Sequence, residues 1–154
     1  MPTPLVGIIV GSKNDLPIVQ ETADVLTRFG VAHEVIVSSA HRQPSKTAAY
    51  AKSAASRGLK ILIAAAGYAA HLGGVLAAHT ILPVLGVPLA ASTLGGMDSL
   101  LAMVQMPAGI PVGTLTIGPA GAKNAAYLAL QILALHDAAL AAKLQAYRNE
   151  LAKG

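Results

Sequence analysis

The amino-acid sequence predicts an α/β domain built on a five-stranded parallel sheet. Short apolar runs alternate with helical segments along the chain, and this alternation produces parallel strands joined by right-handed crossovers. The first run, from Leu5 to Val10, is apolar, as expected of a strand that is covered on both faces. Because the chain has 154 residues and no linker or internal repeat, we expect a single domain spanning residues 1–154.

The first helix is predicted directly after the Gly11-Ser12 turn. Asp15 stands where an N-cap is expected, and an apolar stripe then runs from Ile18 to Phe29 at helical spacing. Gly30 ends this segment, as glycine commonly does after a helix. These residues complete the first strand–loop–helix unit.

The same unit recurs along the rest of the chain. The predicted strands are 34–37, 61–65, 84–87 and 112–117, and the predicted helices are 44–57, one ending at Thr80, 98–104, 121–135 and 138–153. Residues 67–74 form a glycine-rich loop in this scheme. Helix 121–135 is apolar on almost every side, so we expect it to be buried against another subunit as well as against the sheet.

Composition narrows the classes of function. The formal net charge is +4, but the eleven Lys and Arg residues are scattered and aromatic residues are few, which argues against nucleic-acid binding. Between Lys60 and Lys123 only Asp98 is formally charged, yet glycine and proline divide this stretch into pieces too short to cross a bilayer. The first residues lack a signal-peptide pattern, so we expect a cytoplasmic protein with no nucleic-acid or membrane partner.

Three polar or glycine-rich loops follow the carboxyl ends of predicted strands, where open parallel sheets bind their ligands. They contain Gly11-Ser12, the run from Ser39 to Arg42, and the run from Gly67 to Leu72. Imidazole changes its protonation near neutral pH and guanidinium can clamp a phosphate, so the pair His41-Arg42 suits both proton transfer and anion binding.

Each loop also has a plainer interpretation. Gly11-Ser12 could serve only as a turn, His41-Arg42 could be solvated surface residues, and His71 alone could be a structural histidine held by hydrogen bonds. The spacing of His, Asp and Glu residues indicates no metal site.

Taken together, six motifs resemble one known family. They are Gly11-Ser12-x-x-Asp15, Ser39-Ala40-His41-Arg42, Gly67-x-Ala69-Ala70-His71-Leu72, Leu94-x-Gly96-x-Asp98-Ser99-Leu100, Val104-Gln105-Met106-Pro107 and Gly109-Ile110-Pro111-Val112-Gly113-Thr114. In this order, and over nearly the whole chain, they are similar to the PurE family, the 5-(carboxyamino)imidazole ribonucleotide mutases of bacterial purine synthesis.

This resemblance implies a flavodoxin-like three-layer sandwich that assembles as a homo-octamer and works without a metal or an organic cofactor. The implied reaction moves a carboxylate of a ribonucleotide from its exocyclic nitrogen to the neighbouring ring carbon. One group must protonate the nitrogen and then remove the proton from the carbon, and a single histidine can do both. His41 is the residue that the resemblance implies for this role.

The resemblance also implies how the substrate is held. Arg42, Ser12 and Ser39 suit the phosphate, and Asp15 suits the ribose hydroxyls. His71 would stabilise the carboxylate in a cavity lined by small residues that excludes water. The implied catalytic residues are His41 and His71, and the implied substrate-binding residues are Gly11, Ser12, Asp15, Ser39, Ala40, Arg42, Gly67, Ala69, Ala70 and Leu72.

Three residues depart from the family's usual pattern. Tyr68 stands where the family has glycine, Gly73 where it has proline, and Asn14 where it has serine. We expect Tyr68 to point away from the pocket into an intersubunit contact rather than over the imidazole ring, and Gly73 to loosen a loop. Two other functions stay open. One is a related carboxylase that uses carbon dioxide on aminoimidazole ribonucleotide or another heteroaromatic nucleotide, and the other is a catalytically silent nucleotide-binding paralogue.

Overall fold

Five parallel strands form one sheet, in the order β2-β1-β3-β4-β5, in a computed structural model that describes residues 1–154. The strands are β1 (Val6–Val10), β2 (His33–Val37), β3 (Ile61–Ala66), β4 (Val84–Pro88) and β5 (Gly113–Thr114). The helices are α1 (Leu16–Arg28), α2 (Pro44–Ala54), α3 (Leu72–Ala78), α4 (Met97–Val104), α5 (Pro119–Ala134) and α6 (Ala138–Leu151). No helix is both long enough and apolar enough to span a bilayer.

The sheet is covered on both faces, because successive side chains of its central strands enter two separate cores. Ile8 of β1 lies in a core shared with α1, α5 and α6, whereas its neighbour Ile9 lies in a core shared with α2, α3 and Met103 of α4. Helices therefore form a layer on each side of the sheet. The predicted α/β class and the flavodoxin-like three-layer sandwich are confirmed, since this strand order is the one typical of that fold.

Helix α5 is buried on one face within the chain, and its expected burial against another subunit stays a prediction. One face, which includes Ala122, Ala126 and Leu130, packs entirely within the chain's own core. The opposite face carries Lys123 and Gln131 and is exposed. The expectation that α5 is apolar on nearly every side is wrong, because small alanines fill the space beside α1 and polar residues occupy the outer face.

Several element boundaries differ from the predicted ones, and the difference at α3 changes an expectation about a residue. Helix α3 begins at Leu72, so Gly73 and Gly74 belong to a helix and the expectation that Gly73 loosens a loop is wrong. Gly73 is buried there, and an added Cβ would lie 3.3 Å from Cγ1 of Val112. Helix α2 ends at Ala54 rather than at residue 57.

Strand β5 is shorter than predicted. Its regular ladder with β4 covers only Gly113 and Thr114. The backbone amides of Leu115 and Gly118 still donate hydrogen bonds to the carbonyls of Gly86 and Pro88, at 2.8 and 2.9 Å. The chain from 113 to 118 therefore follows β4 without keeping regular strand geometry.

The tyrosine of α2 ties this helix to the edge strand β2. The hydroxyl of Tyr50 donates to Oε1 of Glu34 at 2.7 Å, and Nη2 of Arg57 donates to both carboxylate oxygens at 2.6 Å. Burial raises the pKa of Glu34, but the hydrogen bonds from Arg57 and Tyr50 outweigh it and hold the pKa below its ordinary value. Gly7 leaves room for the Tyr50 hydroxyl, which an added Cβ would overlap.

Three aromatic rings join α1, α5 and α6. Tyr127 and Tyr147 stack with ring centroids 4.8 Å apart, and Phe29 meets both edge-on, at 6.0 and 5.9 Å. Burial and the neighbouring Tyr147 hydroxyl raise the pKa of Tyr127 to about 12. This cluster fixes the C-terminal helix against the rest of the helical layer.

The start of α5 gives a direct test of the packing. A Cβ at Gly121 would overlap the backbone carbonyl oxygen of Thr116, and a backbone atom cannot move aside as a side chain can. We therefore expect Gly121→Ala to lower the free energy of unfolding by about 1–3 kcal/mol, the usual cost of overpacking, as measured by chemical denaturation.

Gly11→Ala is the matched control. A Cβ at Gly11 would have only the Cβ of Ala66 within reach, at 4.0 Å, so this substitution should leave the stability nearly unchanged. Equal losses in the two variants would contradict the packing argument.

Candidate active site

A cleft of about 640 Å³ lies at the carboxyl edge of the sheet. It is formed by the loops that follow β1, β2 and β3, together with Ala91 beyond the end of β4. Strands β1 and β3 are neighbours, but the chain leaves them toward opposite faces of the sheet, so the loops that follow them diverge and leave a crevice. Such switch points are where parallel sheets bind ligands.

The cleft gathers all but one of the residues proposed from the sequence. The exception is Ala70, which is only 1% exposed and lies in the core beneath the loop. The cleft is lined by Gly11, Ser12, Asn14, Asp15, Ser39, Ala40, His41, Arg42, Ala66, Gly67, Tyr68, Ala69, His71, Leu72 and Ala91.

The first loop leaves a carboxylate free at the start of α1. Oγ of Ser12 accepts a hydrogen bond from the backbone N–H of Asn14 at 3.2 Å and so caps a short 3-10 helix. Asp15 occupies the cap position of α1 as predicted, but its side chain makes no capping hydrogen bond. Burial raises the pKa of the Asp15 carboxyl above its ordinary value. Its oxygens are therefore free to accept hydrogen bonds from a ligand.

The second loop is a closed turn that presents a cation. Oγ of Ser39 accepts from the backbone N–H of Arg42 at 3.2 Å, and the carbonyl of Ser39 accepts from the N–H of Gln43 at 2.8 Å. Below it, the buried hydroxyls of Ser38 and Thr47 hydrogen-bond each other at 2.7 Å. The guanidinium of Arg42 takes part in none of the chain's three ion pairs, so its charge is available to an anion in the cleft.

The two histidines of the cleft contact each other directly. Nε2 of His41 lies 2.8 Å from Nδ1 of His71, and the rings meet edge to face with centroids 4.9 Å apart. One of these nitrogens must carry the hydrogen and the other must accept it, so the pair holds one proton between two bases. Both residues are exposed to the cleft.

The third loop comes close to the end of β4. A Cβ at Gly67 would lie 2.6 Å from the Cβ of Ala91, so only glycine fits at this position. The next residue, Tyr68, has φ of +53° and is 62% exposed. The N–H of His71 donates to the carbonyl of Ala69 at 2.8 Å, which closes the loop just before α3.

Tyr68 is among the residues that line the cleft, so a side chain turned over the site stays open beside the expected intersubunit contact. The backbone at this residue is left-handed, a conformation that glycine would adopt without strain and that here carries a phenol.

Three further lining residues, Asn14, Ala66 and Ala91, were not among the proposed site residues. Ala91 belongs to a short apolar stretch after β4 that has no titratable or hydrogen-bonding side chain. Its one available signal was its position, since it follows the strand next to β3. No group of three His, Cys, Asp or Glu side chains converges anywhere in the chain.

The raised pKa of Asp15 predicts a gain in stability when the charge is removed. The folded state binds the Asp15 proton more tightly than the unfolded state does, so ionisation disfavours folding at any pH above the folded pKa. We expect Asp15→Asn to unfold at a higher temperature than wild type at pH 7. The difference should shrink as the pH falls through the folded pKa toward the ordinary carboxyl value, because the wild-type side chain is then protonated.

Asp24→Asn is the matched control on the same helix. Asp24 is exposed, and an asparagine there can still accept the 2.7 Å hydrogen bond from Nε2 of Gln20. Its unfolding temperature should stay near that of wild type. A lower unfolding temperature for Asp15→Asn would show that the positive end of α1 stabilises the charge by more than burial disfavours it.

Known proteins resemble this chain in both sequence and fold. It is 59% identical over 145 residues to an N5-carboxyaminoimidazole ribonucleotide mutase of Vibrio parahaemolyticus, covering 94% of this chain and 90% of the relative. It is 51% identical over 148 residues to the protein of the same name from Pyrococcus horikoshii, covering 96% and 82%.

A solved structure also resembles this chain in fold. The crystal structure of Treponema denticola PurE matches with a TM-score of 0.87 and 27% sequence identity, over 97% of this chain and 92% of that one. The sequence profile of the AIR carboxylase family matches residues 5–154. The matched residues include the whole lining of the cleft, and the chain belongs to the AIR carboxylase family.

Proposed function

We propose that this protein is an N5-carboxyaminoimidazole ribonucleotide mutase, an isomerase of purine biosynthesis. The observation that carries the proposal is the 2.8 Å contact between His41 and His71 in the cleft of a chain 51–59% identical to proteins of that name. The reaction needs one proton that is given and then recovered, and an imidazole that a second histidine holds in place can give and recover it.

The proposed orientation of the nucleotide follows from the charges in the cleft. The unpaired guanidinium of Arg42, the hydroxyl of Ser12 and the positive end of the α1 dipole favour the phosphate. The uncapped carboxylate of Asp15 accepts hydrogen bonds from the ribose hydroxyls. These two contacts direct the base toward the loop that carries His71.

The first chemical step is assigned to protonated His41. It donates its proton to the exocyclic nitrogen, and the bond between that nitrogen and the carboxylate carbon breaks to release carbon dioxide. His71 accepts a hydrogen bond from the His41 ring through Nδ1 and so orients the donor before the step. Because the nitrogen keeps the bonding electron pair as it is protonated, the products of this step are a neutral amine and carbon dioxide.

The second step returns the proton. The ring carbon attacks carbon dioxide with its π electrons, and His41, now neutral, takes the proton that this carbon loses. The enzyme ends in its starting protonation state, so substrate and product are isomers. The small side chains at Gly67 and Ala69 leave space for carbon dioxide beside the ring.

An assay with purified protein tests the function. We expect the carboxyamino ribonucleotide to be converted to the carbon-carboxylated product without added bicarbonate, followed by absorbance. Turnover of unmodified aminoimidazole ribonucleotide that requires bicarbonate would instead identify the carboxylase. Binding of nucleotide with no turnover of either substrate would identify a silent paralogue.

In the same assay, His41→Asn should lower kcat by about a hundredfold or more, because an amide can hydrogen-bond but cannot carry a proton. His79→Asn is the matched control, since His79 is exposed at the end of α3 and lies outside the cleft. If His41→Asn retained activity within a few-fold of His79→Asn, His41 could not be the proton carrier.

The proposal extends to a cytoplasmic homo-octamer. Met97, Leu101 and Val104 lie on one face of α4 and are about half exposed, and Leu94 beside them is 65% exposed. An uncovered apolar stripe of this kind favours an interface between copies of the chain. The number eight follows from the family resemblance. The cytoplasm is proposed because a charged nucleotide substrate made there cannot cross a bilayer unaided.

We expect light scattering to give a particle of eight times the 15.5 kDa chain mass. A Met97→Glu/Leu101→Glu double variant should be smaller, because charges would replace the apolar stripe, whereas Lys52→Glu on α2 should keep the wild-type mass. A wild-type monomer at micromolar concentration would refute the assembly.

A further inference from the structure

We infer that Tyr68 is a substrate-binding residue whose phenol ring packs against the heteroaromatic ring of the nucleotide. This inference rests on the function proposed above and assigns the contact that holds the reacting ring in place. It adds an aromatic wall to a site whose other residues are charged, hydroxylic or small.

The backbone of Tyr68 provides the first observation. Tyr68 is the only residue other than glycine with a positive φ, +53°. A side chain at this φ crowds the neighbouring carbonyl, and the residues that tolerate it best are Asn and Asp, whose short polar side chains hydrogen-bond locally. Tyrosine has no such compensation. Strained residues of this kind cluster at active sites, where the surrounding structure holds them.

The side chain provides the second observation. Tyr68 lines the same cleft as His41 and His71 and is 62% exposed. The chain's four close aromatic pairs involve other residues, so neither face of the Tyr68 ring is covered by another aromatic side chain. A residue of the cleft lining therefore carries a largely exposed aromatic ring that has no aromatic partner from the chain itself.

Position decides which part of the substrate meets this ring. Tyr68 lies three residues before His71 in a loop closed by the hydrogen bond from the His71 N–H to the Ala69 carbonyl. The loop belongs to the end of the cleft where the proposed proton transfer takes place. A phenol ring adds little to a phosphate that Arg42 can clamp, whereas its face matches a flat heteroaromatic ring.

Equilibrium binding to the full-length protein tests the contact. The two probes are the carbon-carboxylated product nucleotide and ribose 5-phosphate, which has no base. We expect Tyr68→Gly to raise the Kd of the nucleotide about tenfold, within the range for stacking of a base on an aromatic side chain. The Kd of ribose 5-phosphate should stay within about twofold. Tyr68→Phe, which keeps the ring, should bind both probes like wild type.

Thermal unfolding separates this contact from a structural role. Glycine relieves the positive φ, so Tyr68→Gly should unfold at a temperature no lower than wild type. An unchanged nucleotide Kd in Tyr68→Gly, equal losses for both probes, or a loss in Tyr68→Phe as large as that in Tyr68→Gly would overturn the inference.

The outcome is distinguishable from failure of the proposed function. A wild-type enzyme that turns over its substrate but binds nucleotide no better than Tyr68→Gly does would refute the role of Tyr68 alone. A wild-type protein that binds nucleotide without converting it would refute the mutase, while the comparison of variants would still decide the ring contact. A protein that binds no nucleotide refutes both.

Discussion

The parallel register of β1 with its two neighbours is the constraint on which the site depends. Val10, the last residue of β1, pairs with Val37 of β2 and with Ala65 of β3, so β1 and β2 end at the same level and β3 continues for one residue more. The loops that follow therefore begin side by side. Shifting any one strand by a single residue would reverse which of its side chains enter each core and would separate the residues of the cleft.

Within this frame, each loop is closed by hydrogen bonds to its own backbone N–H groups, and two charged side chains of the cleft lining have no partner in the chain. Ser12 and Ser39 satisfy backbone N–H groups in their turns, whereas the Arg42 guanidinium and the Asp15 carboxylate stay unpaired. Groups held ready in this way need little reorganisation when a ligand arrives. The raised pKa of Asp15 reflects the cost of partly burying its carboxylate.

Much of this arrangement could be predicted from the sequence. Continuous apolar runs identified the central strands, because both faces of the sheet are covered. The loops after β1 and β2 could be recognised by their polar residues, such as His41. Ala91 could not be found, because its contribution is a shape set by its close approach to Gly67. The left-handed backbone at Tyr68 could not be found either, because no local pattern encodes a positive φ at a tyrosine.

Tyr68 also gives the protein an optical property. The chain has four tyrosines and no tryptophan, so its ultraviolet emission comes from tyrosine. Tyr50 is hydrogen-bonded to a carboxylate, which quenches phenol fluorescence, and Tyr127 and Tyr147 are stacked on each other. The most exposed emitter is therefore the one that lines the cleft. Tyrosine emission of the unlabelled protein thus gives a signal by which ligand binding beside Tyr68 can be followed without an added label.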